Sequence, residues 1–440
     1  MKPLVKIAFR NTIKNWRHSA AALISISTGF VSLVLFQGYI VQVERMYDVG
    51  FTHRAMYGHL MIENPSANTP EGRTEPEEFL IDQNHQQILN RYFKETPGIG
   101  SVVRFLPVSG MVSNGASSFI FLGLGYDLET GREMRKPIWS WDTIYGLPLS
   151  ESNKVNSVVV GQALGALLGC TPVQKIKNLN QNNGYAAEER PFHCENSNTI
   201  QLSGTTESGQ INAIDVDIVG LIDGGYKDID ERYAKMPLPM AQKLMNTDKI
   251  KFISLLVDDV AKIPKYRGNM NEFFKRENLP YQAIRWKDHA IGELYRKTNS
   301  ILELFKMFIV TVTLSIAALS VLNTMVKIVK ERTREIGTMR SLGFDKNQIV
   351  SMFLYESFFL STIGVFIGLM AAFFITFTVN LAEFKYRAGM LSEPVLFQID
   401  FDFGVYVYST VLLSGIAVLA CYWACRNAIK GNVVDNLIYA

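Results

Sequence analysis

At 440 residues, with 48% hydrophobic and only 19% charged residues, the chain has room for a full water-facing domain and several apolar spans. A net charge of +3 assigns no partner by itself; the distribution of charge along the chain says more. No Gly-x-x-x-x-Gly-Lys-Ser/Thr phosphate loop occurs, which excludes ATP binding of the usual kind, and no His-Glu-x-x-His motif or catalytic triad is evident.

Residues 1–18 carry Lys2, Lys6, Arg10, Lys14 and Arg17 and no acid, with Leu4, Ile7, Ala8 and Ile13 at helical spacing between them. This predicts a basic amphipathic helix at an anionic cytoplasmic surface, with Trp16 at the interface. Residues 19–43 form a first apolar span. It is too long for a cleavable signal and lacks a small-residue cleavage site, so an uncleaved anchor is expected. Ser25, Gly29 and Ser32 share one face of it and suit close approach of another helix.

Residues 44–298 read as a mixed α+β region. Strands are expected at 59–63, 101–112, 252–258 and 281–286, and helices at 82–95 and 264–278. These make two β-α-β halves, separated in sequence, that pair into one split sheet. Between them, at about 114–212, lies a β-rich insert with strands at 119–124 and 157–160. The polar stretches 64–78 and 177–198 are expected to be loops.

From Trp286 a helical pattern runs without proline into a second apolar span at 299–326. At ~1.5 Å per residue its forty or so residues make a rod of ~60 Å, with Gly292 and Asn299 as candidate weak points. A third span covers 349–381, a short connection 382–402, a fourth span 403–424, and a tail 425–440. Each span is long enough for a bilayer core of ~30 Å. In the third, Gly364 and Gly368 form a Gly-x-x-x-Gly packing face. Glu356 lies early in that span and needs a partner or water.

Between the second and third spans lies the charged segment 327–348. Arg332 and Glu335 are spaced to pair, as are Glu331 and Arg334, while Ile336 and Met339 share a face. Gly343 suits a left-handed helix stop, and Asp345 with Gln348 a cap for the next helix. On charge and spacing alone, the segment is either a solvated hairpin or a docking helix. Lys and Arg concentrate at the N-terminus, here (Lys327, Lys330, Arg332, Arg334, Arg340, Lys346) and in the tail. These parts are therefore expected on the cytoplasmic side, and residues 44–298 outside. Cys170 and Cys194 then face an oxidising compartment, where a disulfide and two free thiols are both open. Cys421 and Cys425 pack as small hydrophobes. His193 beside Cys194 is a weak metal hint.

The stretch ERTREIGTMRSLGFDKNQI, followed by FLYESFFLSTIGVFIGL, resembles the FtsX/MacB-type ABC transporter permeases. The pattern is Glu-Arg-x-x-Glu-Ile-Gly, then Arg-x-Leu-Gly, then Glu356 early in the next span. VVVGQALGALLG at 158–169 and IVGLIDGGYKDIDERYAKMPLPMAQKLM at 218–245 resemble the lipoprotein-releasing LolC/LolE type, although Cys170 and Thr171 stand where that type has Gly-Asp after Leu-Gly. The resemblance implies an α+β membrane protein with four transmembrane helices and a large periplasmic domain. That domain would comprise Porter-like halves and a Sabre-like insert. The charged segment becomes a coupling helix, with Glu331, Arg332, Glu335, Gly337, Arg340 and Gly343 docking on a cytoplasmic ABC ATPase present in two copies. The chain is then not an enzyme and holds no cofactor or metal; ATP and Mg sit on the partner. A second permease subunit, identical or related, and a periplasmic lipoprotein carrier or adaptor are implied, with no nucleic acid. The implied place is the bacterial inner membrane. The implied role is ATP-driven lipoprotein release by mechanotransmission. MacB-like efflux drive and an FtsX-like scaffold activating a cell-wall hydrolase are the alternatives.

Overall fold

The computed structural model describes residues 2–14, 16–74, 76–154, 156–174, 184–195, 197–387 and 391–428. The chain divides into two compact units. One comprises residues 1–44, 298–384 and 397–440; the other comprises 45–297 and 385–396.

The first unit is helical. Helix α1 runs Lys2–Lys14 and α2 Trp16–Val49. Helix α3 runs Glu293–Glu331, α4 Thr333–Ser341, α5 Lys346–Leu381 and α6 Phe403–Ala428. Four of these, α2, α3, α5 and α6, are long and apolar enough to cross a membrane. Their sequences are rich in Val, Ile and Thr, poor helix formers in water. A helix satisfies every backbone group within itself, which decides the matter where no water is available. Hydroxyls inside the runs bond back one turn, as Thr311 Oγ1 does to Met307 O (2.8 Å) and Ser315 Oγ to Thr311 O (2.8 Å).

The packing of the unit follows its small residues. Ser25 Oγ donates to Ser320 Oγ across α2 and α3 at 3.0 Å. A Cβ on Gly29 would meet Thr313 Cγ2 at 2.8 Å. On α5, a Cβ on Gly364 would lie 3.0 Å from Ile26 Cβ, and one on Gly368 2.9 Å from Phe30 Cβ. Ser27 Oγ donates to Gly364 O at 2.8 Å across the same α2–α5 contact. Ser32, expected on the packing face, is exposed instead.

The rod expected from Trp286 begins slightly later. A short 3-10 turn, Ala290–Gly292, precedes α3, and α3 continues unbroken through Asn299 for 39 residues, or ~58 Å. Gly292 is required where it stands, since a Cβ there would lie 2.4 Å from Trp286 O.

The second unit is built on a ten-stranded sheet. Its strands are β1 Leu60–Glu63, β2 Ile99–Ser113, β3 Ser118–Tyr126, β4 Tyr145–Gly146, β5 Ser157–Gly161, β6 Thr199–Thr205, β7 Ile211–Ile222, β8 Tyr233–Pro237, β9 Phe252–Val257 and β10 Gln282–Ile284. The order is β10-β1-β9-β2-β3-β8-β5-β7-β4, with β6 pairing β2 and β7. The expected split motif is present. β1, helix Gln83–Glu95 and β2 interleave with β9, helix Ile263–Arg276 and β10. The insert is not a separate sheet. The long β2 pairs β9 through Phe105↔Phe252 and then continues along β3 through Ser113↔Ser118, so both regions share one hydrogen-bonded surface. One face packs Leu89, Phe93, Met270 and Phe274 from the two helices. The other packs Met56, Phe105, Tyr126 and Trp286.

Three further features were not read as such from the sequence. Stretch 64–78 is mostly short helical turns, Pro65–Asn68, Pro70–Thr74 and Pro76–Phe79. Within 177–198, of which residues 177–183 and 196 lie outside the described residues, Phe192–Cys194 is a strand paired with Cys170–Pro172. Residues Lys385–Leu396, read as part of a free-standing connection, belong to the second unit. There Ser392 hydrogen-bonds Asp223, Ser392 N–H donates to Gly225 O (3.2 Å), and Gln162 Nε2 donates to Glu393 Oε1 (3.2 Å).

Cys170 and Cys194 face each other across their two-stranded ladder and are joined by a disulfide closing a separation of 24 residues. Closing a loop of this size stabilises the fold by ~3 kcal/mol through chain entropy. Alkylating the denatured chain without reductant is expected to label two of the four cysteines, and all four after reduction. Reduction is also expected to lower the thermal midpoint. Four labelled cysteines in the non-reduced sample would refute the bridge.

Candidate functional site: the charged joint between α3 and α5

Helix α3 ends at Glu331, Arg332 breaks the helical path with φ −102° and ψ 15°, and α4 follows at once. Helix α4 stops at Gly343, whose φ of +93° lies in the left-handed region that favours glycine. Asp345 then caps α5 in a capping box: Gln348 Oε1 accepts from Asp345 N–H at 3.0 Å. The segment is therefore a short helix between two definite stops.

Its two faces differ. Ile336 and Gly337 are buried and Met339 is half-buried; Ile336 and Met339 pack against the helical bundle and seat α4 on its apolar side. Glu331 and Glu335 are exposed, and Arg340 is half-buried. Glu331 Oε1 lies 3.8 Å from Lys327 Nζ, a weak exposed pair.

Arg332 departs from the expectation of a surface charge. Its side chain is only 13% exposed, because its guanidinium is shared among three elements. Nε donates to Glu335 Oε2 at 2.7 Å, the pairing expected from spacing. Nη1 donates to Glu356 Oε2 on α5 at 3.2 Å, and the carboxylate of Glu356 is 3% exposed. The Asn11 side-chain carbonyl on α1, in the amide orientation that satisfies both groups, accepts from Nη2 at 2.8 Å and Nη1 at 3.2 Å. The guanidinium also lies 5.6 Å from the Phe353 ring centroid. Glu356 thus has the partner that its place in an apolar run demands. Asn11 carries no signal of this role in the sequence, being one amide among the cations of α1.

Helix α1 is held to α5 by more than Asn11. Phe9 meets Phe359 edge-on at 5.3 Å, and Ala8 and Thr12 are buried. Cys421 and Cys425 are buried on α6, packing as expected.

A profile of the family described as "FtsX-like permease C-terminal" matches residues 307–433. The ABC transporter permease YtrF of Bacillus subtilis is 30% identical over 147 residues, covering 32% of this chain and 34% of that protein. The macrolide export ATP-binding/permease protein MacB of Psychrobacter arcticus is 25% identical over 226 residues, covering 50% of this chain and 32% of MacB. The chain thus spans about a third of the length of each. The crystal structure of the periplasmic region of MacB from Actinobacillus actinomycetemcomitans superposes with a TM-score of 0.34 at 13% identity, over 52% of this chain and 88% of that one. The matched region contains α4, both its stops and Glu356, so the charged joint lies within a stretch similar to the FtsX-like permease C-terminal family.

Proposed function

We propose that the chain is the membrane subunit of an ATP-driven complex that works by mechanotransmission. A separate cytoplasmic ATPase docks on α4. Two permease subunits, identical or related, and two ATPase copies make up the complex. The observation that carries this reading is the single unbroken helix α3, which leads directly into the clamped helix α4. A displacement of α4 is then a displacement of a stiff rod rather than of a loop. Four spans per subunit without abundant buried polar groups make a poor polar conduit, so the cargo need not pass between them. ATP and Mg are placed on the ATPase, and the setting is a bacterial inner membrane with the mixed α+β unit in the periplasm.

For cargo, we favour release of lipoproteins to a periplasmic carrier, supported by the resemblance of residues 158–169 and 218–245 to lipoprotein-releasing permeases. The similarity to MacB supports a second reading, drive for export of a periplasmic substrate. Reconstitution of the full chain with its ATPase in vesicles separates them. ATP-dependent transfer of a triacylated lipoprotein to a soluble carrier supports the first reading. Substrate export without lipoprotein transfer supports the second.

Topology is the nearer test. A reporter active only outside the cytoplasm is expected to be active when fused after Asn183 and inactive after Gly343. The reverse pattern would overturn the placement of α4 on the ATPase side.

A further inference from the structure

We propose that Arg332 is a positioning residue that locks the N-terminal helix α1 to the coupling helix α4, so that the two move as one body. This rests on the reading of α4 as the ATPase-docking helix. Arg332 leaves helical geometry at the joint between α3 and α4, with φ −102° and ψ 15°, while Arg332 N–H to Ile328 O (3.1 Å) and Ile336 N–H to Arg332 O (3.0 Å) carry the backbone ladder across it. Side-chain contacts add to those two bonds in fixing the angle. The planar guanidinium supplies them, with one edge on Glu335, another on Glu356, and the Asn11 carbonyl against both terminal nitrogens.

The two carboxylates contribute unequally. Glu335 is solvent-facing, with 62% of its side chain exposed, so its pairing is screened and exchangeable. Glu356 is buried, and losing its cation would leave an uncompensated charge in an apolar setting. The link from Arg332 to α5 is therefore the persistent one. Asn11 brings in α1, and Thr12 Oγ1 reinforces that seat, donating to Ala8 O at 3.0 Å with Glu356 O at 3.5 Å. A push on α4 then reaches α1 and α5 as well as the rod α3. Helix α1, which its cations suit to a membrane surface, becomes a lever of the transmission rather than a passive anchor.

The test places spin labels at Lys6→Cys on α1 and Ser341→Cys on α4, both exposed sites, in the full chain. The parent is expected to give one narrow distance population, alone and in complex with the ATPase, and the same distance with and without trapped ATP. Asn11→Ala and Arg332→Lys are expected to add a second population already in the isolated chain. In the complex they should lower ATP-coupled transport while ATPase co-purification is retained. Asn11→Leu, which keeps the volume but offers no acceptor to the guanidinium, is expected to behave like Asn11→Ala, whereas a merely space-filling Asn11 would leave the parent distribution. A label distance that changes with nucleotide in the parent, or Asn11→Ala and Arg332→Lys variants that match it, overturns the lock. Failure of the parent to bind any ATPase would sink the docking reading instead, and the isolated-chain distances would still decide the lock.

Discussion

Glu331→Lys or Arg340→Glu is expected to leave the chain inserted and folded but to abolish co-purification of the partner ATPase. Glu331 is exposed at the end of α3, just before α4, and Arg340 is half-buried one turn on from Ile336, which seats α4. Glu331→Lys removes no core packing, since Glu331 is exposed. Glu331 makes an exposed 3.8 Å pair with Lys327 that is worth little. Its replacement by lysine also adds a cation to a surface already carrying Lys327, Lys330 and Arg334. Facing a partner built for the native pattern, like charges cost several kcal/mol, and each ~1.4 kcal/mol is a tenfold loss of affinity. Glu331→Lys is the cleaner variant, since Arg340 is half-buried. The measurement is purification from membranes with the ATPase, followed by ATP turnover. Variants that bind, hydrolyse and transport like the parent would reduce α4 to a connecting hairpin.

The parts of this architecture that local sequence dictates were legible. The long helices follow from apolar runs without proline, and the stops of α4 from Gly343 and the Asp345–Gln348 pair, since each is a property of a few neighbouring residues. The alternation of β1, β2, β9 and β10 with two amphipathic helices likewise reveals a split β-α-β pair. What escaped depends on partners distant in the chain. Arg332 looked like a surface charge because charge patterning on a helix registers Glu335, three residues on, but not Glu356, 24 residues on, or Asn11 on α1. Residues 385–396 looked like a bare connection because no local pattern shows that Ser392 meets Asp223 and Glu393 meets Gln162. The insert was read as β-rich, but strand alternation names a buried face and not a neighbour. Only the register shows β2 serving both regions.

The same limit hid the charge network in the second unit, where the largest stability effect is expected. Asp142→Ala is predicted to destabilise that unit by ~3–5 kcal/mol, because it strips the anion from two buried cations. Asp142 Oδ2 lies 3.4 Å from Arg135 Nη1 and 3.2 Å from Lys235 Nζ, and all three side chains are at most 7% exposed. Arg135 Nε and Nη2 have no hydrogen-bond partner among the described residues, so little stands ready to replace the lost carboxylate. Burial alone would push the Asp142 carboxyl up, but Arg135 and Lys235 outweigh it and hold it below the usual carboxylate range. Lys235 is shifted down as well, because burial and repulsion from Arg135 outweigh its one anion. The two directions agree once the charges are counted: Asp142 faces two cations, whereas Lys235 shares a single anion with Arg135. The pH dependence follows in sign. The Asp142 contribution is fully present above the unfolded carboxylate range near pH ~4 and is lost as pH falls through its lower folded value. The cost of burying a charged Lys235 is present below its depressed folded pKa and fades as pH rises towards the ordinary lysine range. Lys235→Met keeps the Arg135–Asp142 pair balanced and removes the surplus cation, so it is expected to be close to neutral or stabilising. Thermal unfolding of the full chain in detergent, followed by tryptophan fluorescence, with three of the five tryptophans (Trp139, Trp141 and Trp286) in the second unit, reads both variants and the pH dependence. If Asp142→Ala unfolds at the parent midpoint, or if Lys235→Met is the more damaging change, the network is not held together by this carboxylate.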